Sequence, residues 1–316
     1  MSKPALYLSA ASTISHQPTF GNPGFSAALG PVEASSALIS PDYKAYIDAG
    51  LLRRMSKILR MSVACAKDCV GQAGIGQPDA IVVGTGLGCL QDTEKFLNTS
   101  LTVEGLLPPT SFIQSTHNTM AGQISLSLGN HGYNMTHTQN TLSFEHALLD
   151  ASMLLREGDR HVLVGAADEH IDILDDIAGR LAFKSDAPLT SGASFFMLSA
   201  ENQGNAKASL ADVYTSGGAG YGQEEIDAFL DRNGLQPGDI DLLLYAGTPA
   251  AGVPVQDAKR SLDYLSLIGV YPTASAFALH YAMDLLGANS EVRNVLICNT
   301  LRKSNLGLTL LKAVEA

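Results

Sequence analysis

The chain has 316 residues, a formal charge of −11 and four cysteines. An acidic chain lacks the basic face that neutralises phosphate, which argues against nucleic acid as partner, and its apolar runs, such as Ile240 to Ala246, are too short to insert across a bilayer. With 46% apolar residues, 16% charged, 30 glycines and no tryptophan, the composition is that of a globular α/β protein; the cysteines are too few for a disulfide framework and MSKPALYLSAAS is too weak a secretory signal, so a cytoplasmic protein with reduced thiols is expected.

In chain order, Ala5 to Ala11 predicts a first strand, and the Gly/Pro/Ser-rich stretch from Gly21 to Gly30 a surface loop. Leu51 to Val70 predicts one amphipathic helix with Leu52, Met55, Leu59, Val63 and Ala66 on its apolar side. Its Arg53, Arg54, Lys57 and Arg60 form a basic face, either solvated or a dock for an acidic partner. Cys65 and Cys69 lie four apart on this helix; without a His or carboxylate pair beside them they read as core, and no metal is expected. Asp79 to Gly88, DAIVVGTGLG, reads as a buried strand entering a glycine-rich turn. Its third glycine is misplaced for a dinucleotide loop, and no second strand with an acidic end follows before Pro109, so no cofactor is expected.

Pro108 to Gly132 predicts a helix ending at Gly129, with His117 near its start expected as a hydrogen-bonded core residue. The organising stretch is Gly132 to Glu169, a strand–turn–helix–strand unit with its strand over Tyr133 to Asn140 and its helix over Phe144 to Leu155. The turn between them presents Thr141, Leu142 and Ser143 at a helix N-terminus, where free N–H groups and the dipole favour developing negative charge. A nucleophile or an oxyanion belongs at such a turn, and there is no cysteine in it. Asp172 to Pro188 then reads as loop, and Gly192 to Glu201 as an apolar strand.

Beyond a soft boundary at Asn202 to Ala206 the pattern repeats. QPGDIDLLLYAGTP from Gln236 matches QPDAIVVGTG from Gln77, and Ser275 to Cys298 parallels Ser143 to Gly165 in helix and following strand. Two matches in one order imply an internal duplication, with halves 1–203 and 204–316 forming one compact unit and mostly parallel strands joined by right-handed crossovers.

NTMAGQISLSLGNHG (118–132), GAADE (165–169), the strand from Gly192 to Glu201, and Gly247-Thr248-Pro249 with Asp257 together resemble the thiolase-fold β-ketoacyl synthases. The resemblance covers most of the chain and implies a layered αβαβα fold. It also implies where chemistry is missing: Thr141 falls where the family has its acyl-accepting cysteine, Ala246 where it has its first catalytic histidine, and His280 where it has its second, with Ser275 at the preceding lysine position. Asn299 to Asn305 replaces the glycine-rich gate. Condensation needs a thiolate to form a reactive thioester and donors aimed at an enolate oxygen, and threonine and alanine supply neither.

A degenerate synthase of this kind resembles the chain-length-factor subunits of type II polyketide systems, which pair with a catalytic ketosynthase and shape its acyl tunnel. STHNTMAGQ and YPTASAF resemble the aryl polyene and flexirubin subgroup, and Gln139 is similar to the glutamine such factors carry in place of cysteine. The resemblance implies a heterodimer centred on Tyr133, Met135, Thr136, His137, Thr138, Gln139, Asn140 and His146, with acyl carrier protein docking mainly on the partner. The alternatives are an active acyltransferase or decarboxylase using Ser143, Cys89 or His280, and a free-standing acyl-chain binding protein.

Overall fold

The computed structural model describes residues 5–107, 109–181, 187–217, 222–247, 253–288 and 291–314. The strands are β1 Leu6–Ile14, β2 Ala80–Gly84, β3 Tyr133–His137, β4 His161–Asp168, β5 Gly192–Ser199, β6 Ala208–Gly217, β7 Leu242–Tyr245, β8 Ser261–Asp263, β9 Asn294–Asn299 and β10 Asn305–Lys312. The α-helices are α1 Ala49–Leu52, α2 Lys57–Ala73, α3 Leu90–Thr102, α4 Pro109–Gln114, α5 Thr119–Leu128, α6 Ser143–Glu157, α7 Asp172–Arg180, α8 Gln223–Arg232, α9 Leu265–Ile268 and α10 Ser275–Ala288.

The strands run in the order β3-β2-β4-β5-β1-β6-β10-β9-β7-β8. Read from either end the order is the same once β1 is equated with β6, β2 with β7, β3 with β8, β4 with β9 and β5 with β10. This palindrome is the duplication written in topology. The two half-sheets meet only where Leu6 to Leu8 pair with Ala208 to Leu210.

Helices α6 and α10 fill the space between the half-sheets, sharing one core with the inner faces of both, including Val82, Val164, Phe196, Leu244 and Ile297. Helices α2 and α5 cover the outer face of the first half, packing on Ile81, Val83, Leu163 and Phe195. Helix α8 covers the second through Phe229 and Leu230 against Leu243, Leu308 and Leu310. The layers are therefore α, β, α, β, α. Each buried Phe or Leu contributes about 1.5–3 kcal/mol of transfer free energy, so the central layer, apolar on both sides, is the largest source of cohesion. Gly84 lets α6 start against β2, since a Cβ there would stand 2.6 Å from the Ser143 carbonyl oxygen.

Several expectations are corrected. The strands are not mostly parallel: β2 runs parallel to β3 and β4, and β7 to β8 and β9, but β4–β5, β5–β1, β1–β6, β6–β10 and β10–β9 are antiparallel. The parallel connections, such as β2 to β3 through α3–α5 and β3 to β4 through α6, cross over the sheet, while β5 and β10 return antiparallel beside β4 and β9. The helix expected from Leu51 to Val70 breaks at residues 53–56, where Ser56 is extended (φ −67°, ψ 171°) and caps α2. Its basic face disperses, because Arg53 and Arg54 lie in the break, Lys57 Nζ donates to the His170 carbonyl and Arg60 Nε to that of Met55. The stretch after Asp172 holds α7 rather than loop alone, and β3 stops at His137, three residues early. His117 is exposed, its ring lying over Gly88. Among the described residues no helix is long and apolar enough to cross a membrane.

Candidate active site

The turn between β3 and α6 is strained where a nucleophile elbow would be. Asn140 has φ 56°, the one non-glycine residue among those described with positive φ. Positive φ in a non-glycine residue costs free energy and persists only where the surroundings hold it, a condition concentrated at functional sites. The strained position is thus Asn140, one residue before Thr141. Thr141 is 7% exposed and its Oγ1 accepts from Asn305 Nδ2 at 3.1 Å, while its carbonyl accepts from Asn299 Nδ2 at 2.7 Å. The second half of the chain therefore holds the elbow of the first.

Asn140 and Thr141 form one wall of a cavity of about 390 Å³. Leu189, Val270, Tyr271 and Pro272 form another, and Leu174, Ile177 and Leu181 of α7 and the residue after it close the side toward solvent. Helix α7 buries none of its own residues, so its apolar side chains are spent on this cavity. Arg302, Glu169 and His170 supply the polar edge. Glu169 accepts from the backbone N–H groups of Gln91 and Ile58, and burial raises its pKa. His170 Nε2 stands 3.0 Å from Asp175 Oδ1, while its backbone N–H donates to Ser191 Oγ. An extended apolar chain with a polar end suits such a lining.

Beneath the elbow, Asp168 gathers five donors. The Thr85 hydroxyl and the N–H groups of Gly86 and Leu87 reach it from the turn after β2, and the N–H and hydroxyl of Thr273 from just before α10, all within 2.8–3.0 Å. Burial raises its pKa to about 6, although the donors pull the other way. Gly86 is needed here because a Cβ would overlap Pro272.

The remaining expected site residues are not brought together. Ser143 is fully buried, its Oγ 2.7 Å from the Asn140 carbonyl oxygen and 2.9 Å from that of Thr85, which leaves it no path to the cavity. Ala246 is buried at the end of β7; Thr248 and Pro249 lie outside the described residues. His280 belongs to the middle of α10 and lines a different cavity, walled by β1 and α2. Cys89 is fully buried and desolvation raises its thiol pKa far above neutrality, as it does for Cys65 and Cys69. Among the described residues no three His, Cys, Asp or Glu side chains converge as metal ligands. His170 and Arg302 were missed from sequence. His170 adjoins GAADE directly, a position that signals proximity to the elbow.

The family model described as beta-ketoacyl synthase, N-terminal domain, matches residues 35–207, more than half of the chain. The chain belongs to the β-ketoacyl synthase family. No curated protein sequence matches this family member. Among solved structures it is similar to the ishigamide ketosynthase/chain length factor, with a TM-score of 0.81 and 16% identity over 98% of this chain and 100% of that one. It is also similar to a chain of a type II PKS acyl-carrier protein in complex with its ketosynthase, AntDE:AntF, at TM-score 0.80 and 13% identity over 99% and 100% of the two chains. A ketosynthase in complex with its chain length factor, ApeO and ApeC from Xenorhabdus doucetiae, matches at TM-score 0.61 and 15% identity over 98% and 100%. At such identities these likenesses show a shared fold.

Proposed function

We propose that this β-ketoacyl synthase family member is a non-catalytic subunit of the chain-length-factor kind, which pairs with a catalytic ketosynthase and helps bound its growing acyl chain. The observation that carries the reading is the elbow cavity: it is mainly apolar, and among the described residues its lining offers no thiol and no pair of imidazoles. Neither Ser143, Cys89 nor His280 reaches it, which counts against an acyltransferase or decarboxylase built on those residues. Further support comes from structures sharing the fold, which include a ketosynthase/chain length factor, a ketosynthase in complex with its chain length factor and a ketosynthase in complex with its acyl-carrier protein. The aryl polyene setting, the cytoplasmic location and carrier-protein docking through the partner remain parts of this proposal, resting on the sequence resemblance and the acidic charge.

The pairing surface we assign is the free edge of β3. That strand ends the sheet and, among the described residues, pairs only with β2, with Tyr133 41% and Met135 40% exposed. His137 Nε2 and the Tyr133 hydroxyl are held by Asp150 at 2.9 and 3.3 Å, and the His137 ring stacks with that of His146 at 6.4 Å, presenting an ordered face. An unpaired strand edge of this kind calls for a specific partner. The test is co-expression with a ketosynthase bearing an intact Cys-His-His set. We expect a one-to-one complex, its loss in Met135→Asp, and no acyl adduct on this chain by intact mass after incubation with labelled acyl carrier protein. A monomeric chain that acylates itself would overturn the reading.

A further inference from the structure

The second cavity, also about 390 Å³, shares no residue with the elbow cavity and is not accounted for by pairing or chain length. It lies between β1, the loop at residues 19–23, the C-terminal half of α2 and the middle of α10. Its walls combine three kinds of chemistry. Ala11, Pro23 and Met283 are apolar; Asp68 and Asp284 are acidic; and the exposed Lys207 stands at the rim, anchored through its backbone N–H to the Leu8 carbonyl.

His280 is the decisive group. Its Nδ1 is 2.8 Å from Thr13 Oγ1, and the Thr13 hydroxyl donates its own hydrogen to Ser194 Oγ at 2.8 Å. A hydroxyl has one hydrogen, so Thr13 must accept from the imidazole, and His280 carries its proton on Nδ1. Burial pushes its pKa down to about 3, keeping the ring neutral near pH 7. Nε2 then presents a bare lone pair. Among the described residues Nε2 has no hydrogen-bond partner and is not sealed from solvent, and His280 lines the cavity, its ring clamped edge-on by Phe25 at 4.8 Å and Phe196 at 6.2 Å. Asp284 is turned to the loop, its two oxygens accepting the N–H groups of Gly24 at 2.7 Å and Ser26 at 2.9 Å. Asp68 accepts from Gln72 Nε2 at 2.8 Å and from the Tyr46 hydroxyl at 3.5 Å, and its carboxylate keeps further acceptor capacity.

We propose that this cavity binds a small zwitterionic amino acid, its ammonium donating to His280 Nε2 and Asp68, its carboxylate facing Lys207, and its side chain against Ala11 and Met283. A fixed acceptor, a carboxylate and a rim ammonium in one pocket complement one donor end and one anionic end of a compact ligand. The site joins both halves of the duplication, since β1 and α2 belong to one and α10 to the other.

The probe is the set of free proteinogenic amino acids, added singly to the full-length chain. The readout is the imidazole nitrogen resonances of His280, assigned by comparison with His280→Gln. At least one amino acid should shift Nε2 saturably, and Lys207→Ala and Asp68→Asn should each weaken that binding about ten-fold or more with an unchanged thermal midpoint. Should none shift the resonance at roughly 10 mM, a concentration that saturates even millimolar binding, the proposal is overturned. Undiminished binding in either variant overturns it equally.

Discussion

The two elbows of the duplicated fold have the same parts and different fates. Each helix of the central layer begins with a serine, Ser143 or Ser275, and two residues earlier each has a threonine, Thr141 or Thr273. Each threonine is held by the end of a strand from the opposite half: Thr141 by Asn299 of β9, Thr273 by Asp168 of β4. The difference lies in what faces outward. The first elbow is strained at Asn140 and puts its threonine, Thr141, on the apolar cavity, whereas the second reaches that cavity through Tyr271 and Pro272 and keeps Thr273 fully buried. Duplication thus supplies two equivalent turns, and divergence has made the threonine of one part of a cavity wall and that of the other an internal brace.

The brace should be the more costly to break. Asp168→Ala removes the acceptor for five donors on two segments and leaves several buried N–H groups without partners. We expect a loss of about 3–5 kcal/mol, read as a fall in the urea midpoint at constant m-value. Asp168→Asn, which keeps one acceptor oxygen, should fall between the two. A loss under about 1 kcal/mol in the alanine variant would mean that the halves do not depend on this junction.

Asn299→Ala is the matching cut at the first elbow. It strips the buried Thr141 carbonyl and Glu145 Oε1 of a shared donor at 2.7 and 2.8 Å, and should cost roughly 2–3 kcal/mol. If it proves as damaging as Asp168→Ala, the two elbows are equivalent braces and the comparison above fails.

The duplication was legible in sequence because strand and helix periodicities survive in both copies, QPDAIVVGTG against QPGDIDLLLYAGTP. The site was legible only in part. GAADE carried the family resemblance without saying what Asp168 and Glu169 touch, and linear register placed Thr141 at the family's cysteine position but could not show that the strained residue is Asn140 beside it. The direction in which His280 points was not legible either. A single histidine on an apolar helix has no periodic signal that says which side it faces, and it points toward Thr13 in the first half-sheet. Helix α7 was lost because its four aspartate and arginine side chains hide an apolar face that only the cavity explains.

The brace side of the comparison also carries a pH signature through His280. Its folded pKa, about 3, lies below the ordinary 6.5, so the unfolded chain binds the proton more readily across that interval. Stability contributed by the neutral ring is complete above pH 6.5 and is lost as pH falls through the window toward 3. The slope is at most about 1.4 kcal/mol per pH unit for one group. His280→Gln, which still offers a donor to Thr13, should flatten the acid limb of a thermal-midpoint profile over that window. An unchanged limb would assign the acid sensitivity elsewhere, with His16 and His146, also lowered by burial, as the next to replace.

The smallest effect separates the elbows by backbone alone. Asn140 and Pro272 occupy equivalent places, three residues before Ser143 and Ser275, yet one has φ 56° and the other has the fixed negative φ of proline. Glycine should therefore act differently in the two copies. At Asn140 it removes the left-handed penalty while adding chain entropy to the unfolded state, and these offset to within about 0.5 kcal/mol. At Pro272 it relieves nothing and only frees the unfolded chain, costing about 0.4–1 kcal/mol. A branched residue reverses the ranking: Asn140→Val meets the full left-handed cost and should lose about 1–2 kcal/mol. Three urea titrations decide it, and a neutral Asn140→Val would show that the elbow relaxes freely, so that strain is not what sets it apart from its twin.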